Sequence, residues 1–212
     1  MRPLIAVIDY GMGNLRSVQK ALEHAGADAR VTDSPEVVRK AQGVVLPGVG
    51  AFGEAVRRLK AKRLWNALRE IVSSDKPFLG ICLGYQLLFE KSEENPGARG
   101  LGLFKGPVRR FRFPKASSHK VPHMGWNTLA LKRPARSACL KGIGRKDYFY
   151  FVHSFYPAPR DRSLIAGLTS YGRTFASAVA RGNLFACQFH PEKSGRPGQR
   201  ILKNFVQGVN PC

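Results

Sequence analysis

Leu4-Ile-Ala-Val-Ile-Asp-Tyr-Gly-Met-Gly-Asn-Leu-Arg-Ser-Val-Gln-Lys-Ala-Leu-Glu-His-Ala-Gly26 is the stretch from which the fold follows. Its opening, Leu4 to Asp9, is a short apolar run ended by Tyr-Gly-Met-Gly-Asn, the pattern of a buried strand entering a glycine turn. From Leu15 the period changes. Leu15, Val18, Ala21, Leu22 and Ala25 recur at helical spacing, and Gly26 supplies a stop. The alternation continues downstream. Ala29 to Thr32 reads as a second short strand, and Ser34 offers an N-cap with Pro35 at the first helical position, ahead of Val37, Val38 and Ala41. Gly43 to Leu46 is another apolar strand, ending in Pro-Gly-Val-Gly. Glu54 to Val72 is an amphipathic helical segment with Val56, Leu59, Leu64, Ala67, Leu68 and Ile71 on one face, and Pro77 to Ile81 begins the next strand. This βαβα order predicts a mostly parallel sheet covered by helices.

Beyond about Gly100 the pattern becomes strands separated by Gly and Pro: Leu101 to Phe104, Met124 to Leu131, Tyr148 to Val152, Phe175 to Arg181 and Leu184 to Phe189. These suggest an antiparallel extension or edge, and a helix from about Gly198 to Val206 follows. With no internal repeat or low-complexity linker, residues 1–212 read as one domain. The expected fold is a single three-layer α/β domain, its mostly parallel central sheet flanked by helices and extended by antiparallel strands in the second half.

Of the 212 residues, 43% are hydrophobic, enough to bury a core, which excludes disorder as the main state. The longest apolar runs fall well short of the roughly 18 to 20 residues of a spanning helix. Asp9 interrupts the first of them, so the start does not resemble a signal peptide. Cys82, Cys139, Cys187 and Cys212 show no paired spacing of a disulfide scaffold or zinc ribbon, so a reducing cytoplasm is the expected compartment. The charge is unusual: 35 Lys and Arg against 14 Asp and Glu give +21. Between Asn95 and Lys146 there is no acidic residue, yet thirteen basic ones from Arg99 to Lys146. Two readings stay open, a nucleic-acid footprint with Phe111 and Phe113 interleaved, or a solvated surface or docking face for an acidic partner.

Chemistry concentrates at two places. Gly80-Ile-Cys82-Leu-Gly84-Tyr-Gln86 follows an apolar strand and precedes the helix-like Leu-Leu-Phe-Glu. Glycines on both sides of a nucleophile permit a sharp elbow, and the following helix N-terminus favours thiolate; alone, such a cysteine fits a buried small hydrophobe equally well. The second place is Leu184-Phe-Ala-Cys-Gln-Phe-His190-Pro-Glu192. If the extended geometry persists, His190 and Glu192 point to the same side, and the carboxylate orients the imidazole. Together the two segments point to nucleophilic acyl chemistry through Cys82, His190 and Glu192. Gly11-Met-Gly13-Asn-Leu-Arg16 only brushes a dinucleotide fingerprint, because Arg16 stands at the third glycine position. Cys187 and His190 have no second ligand pair to make a metal site.

Several further motifs, in order, carry a resemblance: DYGMGNL, PGVGAF, GICLGYQLLFEKSEE, GLGLFKG, VPHMGWN, YFVHSF and QFHPEKSG, spanning Asp9 to about Phe205. The chain resembles the class I (triad) glutamine amidotransferases, and more narrowly the glutaminase subunits of imidazole glycerol phosphate synthases of histidine biosynthesis. That resemblance implies attack by Cys82 on the carboxamide of glutamine, proton transfer by His190, and a glutamyl thioester hydrolysed to glutamate, with Glu192 orienting His190. It implies oxyanion donors at the N–H groups of Leu83 and of Val49 or Gly50, and glutamine-contacting positions at Gln86, Glu94, Ser154 and Phe155. The family more often has Tyr at position 155. No cofactor and no metal are implied. The implied partner is a (β/α)8-barrel cyclase subunit, forming a heterodimer through a face that includes Asn14, Trp126 and Lys193; a membrane or nucleic-acid partner is not. Paralogues that supply ammonia for amidino groups on surface-polysaccharide sugars share these motifs, and a basic nucleic-acid-binding protein with a relict fold is a remoter reading.

Overall fold

A computed structural model describes residues 1–131 and 137–209; Lys132, Arg133 and Arg136 of the basic stretch, and Cys212, lie outside the described residues. Strand β1 is Leu4–Ile8, and Asn14 starts helix α1, Leu15–His24, by accepting the Ser17 N–H on its side chain at 3.4 Å. Strand β2 (Asp28–Thr32), helix α2 (Pro35–Lys40) and strand β3 (Gly43–Leu46) follow, with Ser34 capping α2 and Pro35 at its first position. The long amphipathic segment is two helices rather than one. Helix α3 (Phe52–Ala61) and helix α4 (Leu64–Ser73) are separated by Arg63, which adopts a left-handed φ of 58°. Both helices send apolar side chains, such as Val56 and Leu59 on α3 and Leu68 and Ile71 on α4, into one cluster. A shared buried face hides the break from any periodicity argument.

Strand β4 (Phe78–Ile81) leads into helix α5, only Leu83–Gln86. The helix expected to run on through Leu87 and Glu90 instead turns into strand β5 (Phe89–Ser92), followed by β6 (Asn95–Arg99), β7 (Phe104–Arg110), β8 (His123–Thr128) and β9 (Ala130–Leu131). Strands β10 (Tyr148–His153), β11 (Phe155–Pro157), β12 (Ile165–Ser170), β13 (Thr174–Arg181) and β14 (Leu184–Cys187) precede helix α6 (Gly195–Val209). The strand expected at Leu101 starts only at Phe104.

The central sheet has eight strands in the order β2-β1-β3-β4-β14-β13-β12-β9. Pairing is parallel from β2 to β14 and antiparallel from β14 to β9. The second half does more than extend this sheet: β11-β7-β5-β6 form a separate four-stranded sheet, and β8 pairs with β10 as a two-stranded ribbon. Alternation along β1 explains the layering. Ile5 and Val7 join the apolar cluster containing α1 and α6 residues Leu22, Ile201 and Phe205, whereas Ala6 and Ile8 join the cluster of α3 and α4. The sheet thus lies between two helical layers. Most important for function, β4 and β14 are parallel neighbours with Ile81 opposite Cys187, so the chain leaves both strands at the same edge.

Candidate active site

Cys82 follows β4 with φ 53° and ψ −105°, a conformation rare for a side-chain-bearing residue and characteristic of a nucleophile elbow. Its N–H donates to the Cys187 carbonyl at 2.8 Å, which ties the turn to β14. Glycine is required at position 84, where a Cβ would run into the Leu46 carbonyl of β3. The helix beyond is a single turn, so the macrodipole expected to act on the thiol is much smaller than a full helix would provide. The charge partner of Cys82 is a side chain.

That side chain is His190. Its Nδ1 lies 2.8 Å from Glu192 Oε1, and both side chains are buried, 3% and 2% exposed. The pairing expected from the sequence is present, but not by strand alternation. Extended backbone ends at His190, and Pro191–Lys193 is a 3-10 turn that swings Glu192 back beneath the ring. Besides its own backbone bonds from Lys193 N–H to the His190 carbonyl and from Ser194 N–H to the Pro191 carbonyl, the turn is held by His190 N–H to the Tyr150 carbonyl at 3.0 Å and by Ser194 Oγ to the His190 carbonyl at 2.6 Å. Burial by itself would lower the His190 pKa; the neighbouring Cys82 sulfur and the Glu192 carboxylate outweigh it and push it up to about 10. Among the described residues its buried Nε2 makes no hydrogen bond of ordinary geometry, which leaves that ring nitrogen facing the Cys82 side for proton transfer.

The thiol opens on a cavity of about 520 Å³, within the usual range for small-molecule sites. Val49, Gly50, Leu83, Gln86, Glu94, Ser154 and Phe155 all line it together with Cys82. Gln86 donates through Nε2 to the Phe155 carbonyl at 3.0 Å and to Gln188 Oε1 at 3.2 Å. Glu94 accepts the Phe52 N–H at 2.7 Å. The Leu83 N–H points at the Gly48 carbonyl, 3.3 Å away. Gly50 has φ 94°, which favours glycine. Two residues were not foreseen from sequence. Gln188 is fully buried, with Nε2 3.6 Å from Cys82 Sγ, and His153 lines the cavity beside Ser154. Gln188 lies two residues before His190, a spacing that would have marked it.

Of the residues expected at a partner face, Trp126 and Lys193 flank the Tyr150 ring. Trp126 is 57% exposed on β8; its ring and the Lys193 ammonium each lie 6.0 Å from the Tyr150 ring. Asn14 is exposed at the start of α1. Among the described residues, no cluster of His, Cys, Asp and Glu could hold a metal ion, and no helix is long and apolar enough to cross a membrane.

The family profile described as glutamine amidotransferase class-I matches residues 6–209. The chain belongs to that family. Among similar class-I glutamine amidotransferases, the imidazole glycerol phosphate synthase subunit HisH of Moorella thermoacetica is 52% identical over 209 residues, covering 99% of this chain and 96% of that one. The subunit of the same name from Syntrophotalea carbinolica is 51% identical, covering 95% and 98%. Among solved structures, PurLQS from Thermotoga maritima superposes with a TM-score of 0.73 at 19% identity, covering 98% of this chain and 99% of that one. A putative GMP synthase subunit from Thermoplasma acidophilum gives 0.71 at 18%, covering 99% and 94%. These two likenesses show the class-I amidotransferase fold alone.

Proposed function

We propose that this chain, a single domain over residues 1–212, is the glutaminase subunit of an imidazole glycerol phosphate synthase in histidine biosynthesis. The observation that carries the reading is the buried His190–Glu192 pair beside Cys82, whose thiol opens on a cavity of about 520 Å³. Support for the pathway comes from relatives of that name, about half identical over nearly the whole chain.

In this reading Cys82 Sγ attacks the carboxamide carbon of glutamine, and His190 gives the Nε2 proton to the departing ammonia, leaving a glutamyl thioester. Neutral His190 then takes a proton from water, which attacks the thioester and releases glutamate and the thiolate. Glu192 holds the ring and balances its charge. Both amide hydrogens of Gln86 are committed within the protein, so Oε1 is the group it offers a ligand. The Glu94 carboxylate faces the glutamine ammonium, and the backbone of Ser154 and Phe155 takes the amino-acid end; Phe at 155 removes a phenol but no backbone group.

The oxyanion is met by N–H groups of Leu83 and of Val49 or Gly50. With the Gly48 carbonyl facing Leu83 N–H, the hole is blocked, which supports a subunit of low activity until the loop after β3 reorients. The stimulus is a (β/α)8-barrel cyclase subunit that docks on the face containing Asn14, Trp126 and Lys193 and receives the ammonia, the heterodimer acting in the cytoplasm. Its products are imidazole glycerol phosphate and the aminoimidazole-carboxamide nucleotide.

Complementation tests the pathway. In low-ammonium medium without histidine, the wild-type gene is expected to restore growth to a strain lacking its glutaminase subunit, and Cys82→Ala is not. Failure of a soluble, triad-intact protein that assembles with the cyclase would contradict the assignment and favour a paralogous route to amidino-sugars.

A further inference from the structure

His123 and His153 are buried, 2% and 6% exposed, and neither takes part in the chemistry above. His153 Nδ1 lies 2.8 Å from the Phe155 carbonyl, which can only accept, so Nδ1 carries the proton. His153 Nε2 lies 3.0 Å from His123 Nδ1; in the neutral ring it accepts, and His123 Nδ1 donates. His123 Nε2 is then the acceptor for Asn127 Nδ2 at 3.4 Å. The Asn127 amide is itself oriented by backbone, donating to the Ser170 carbonyl at 2.9 Å and accepting the Thr128 N–H at 2.8 Å. The polarity therefore runs one way, from Asn127 on β8 to Phe155 at the cavity.

The histidine relay ends at this carbonyl, where a second donor converges on the same oxygen. Phe155 O also accepts from Gln86, Gln86 donates to Gln188, and Gln188 reaches the Cys82 sulfur. Apolar rings seal the histidine pair. His123 stacks on Phe151 and Tyr171 at 4.8 and 4.0 Å, and Phe111 and Phe175 pack on His153 at 5.3 and 5.2 Å. Burial holds both rings neutral, lowering the pKa of His123 to about 4 and that of His153 to about 3. In His153 the bond to Phe155 opposes the shift and the charges of His123 and His190 reinforce it. If these rings served only to fill space, any apolar group of similar size would replace them. The unbroken donor-to-acceptor order is not needed for packing.

We infer that His153, kept in a single tautomer by His123, is a positioning residue for glutamine: it sets the Phe155 carbonyl, and through it the Gln86 and Gln188 amides beside Cys82. The inference rests on the proposed function and names the part of the site that recognises the amino-acid end of the substrate.

The test uses the complex with the cyclase subunit and its ligand, comparing wild type, His153→Leu and His153→Asn, with assembly of the complex as the check on folding. Asn retains a donor near Nδ1; Leu does not. Loss of a buried hydrogen bond raises KM for glutamine by about tenfold in His153→Leu, with a smaller change in kcat, and His153→Asn recovers to within about threefold of wild type. Equal effects of Leu and Asn, or no effect of either, overturn the inference. A second readout stands apart from activity and from the variants. Ring-nitrogen NMR of the wild-type chain at pH 6 is expected to show His123 and His153 neutral and protonated on Nδ1, and a cationic ring or an Nε2-protonated tautomer at either overturns the relay. A wild-type complex without glutamine turnover removes the proposed function instead, while the ring spectra still decide the relay.

Discussion

At position 84 the reactive turn tolerates no side chain, since a Cβ there meets the carbonyl of a neighbouring strand. Gly84→Ala is expected to cost at least about 2 kcal/mol of stability through overpacking and to lower glutamine turnover; an unchanged urea midpoint would contradict this. The histidine pair gives a second expectation. The folded pKa values of about 4 and about 3 lie below the ordinary 6.5. The unfolded chain therefore binds more protons below pH 6.5, and the stability these rings contribute, complete above that pH, is lost as the pH falls through 4 and 3. Each ring adds a slope of up to about 1.4 kcal/mol per pH unit in that window. His119 faces His123 and His190 faces His153, and charge on either lowers its neighbour's folded pKa and widens the window of loss. His123→Phe is expected to flatten acid denaturation followed by circular dichroism; an unaltered slope would mean the ring already titrates normally.

Among the elements, the first half of the chain was legible because its periods are clean: apolar strands end in glycine or proline, and helices carry a stripe and a cap, as at Ser34 and Pro35. The second half was less so. Strand β6, Asn-Pro-Gly-Ala-Arg, has no alternation and among the described residues pairs with β5 alone, while α5 stops after one turn because Phe89 pairs with Phe104. The residues of the proposed triad stood out by type and glycine brackets, although the His190–Glu192 contact arises in a 3-10 turn. His153 was missed because a core histidine carries no chemical signature until its partners are known, and Gln188 had only its spacing from His190 to mark it. Arg63 offers a direct test of the break between α3 and α4. Its left-handed backbone makes Arg63→Gly stabilising by up to about 1 kcal/mol, with function intact, and destabilisation in urea would contradict that account. The blocked Leu83 N–H leads to a kinetic expectation: the isolated subunit hydrolyses glutamine at least about a hundredfold more slowly than the ligand-bound complex, as loss of an oxyanion donor would dictate. Equal rates would show that the loop after β3 is already in its working orientation.

For the molecule as a whole, the excess of 21 positive charges is separate from the triad, since Cys82, His190 and Glu192 all lie outside the acid-free stretch. Pairs such as Arg112–Glu93 and Lys105–Glu90 are largely exposed and add little stability. A basic surface has a clearer effect on encounter. If the proposed cyclase partner presents an acidic face, association is expected to slow by about tenfold or more between low and high salt in stopped-flow measurements; a rate indifferent to salt would leave the charge as solvated surface. Division of labour between two subunits makes one comparison decisive. Synthesis by the complex is measured with glutamine and, separately, with ammonium salt as nitrogen source, for wild type and Cys82→Ala. The account predicts that Cys82→Ala loses glutamine-dependent synthesis and keeps ammonium-dependent synthesis at the wild-type rate. Glutamine-dependent synthesis by an assembled Cys82→Ala complex would contradict it.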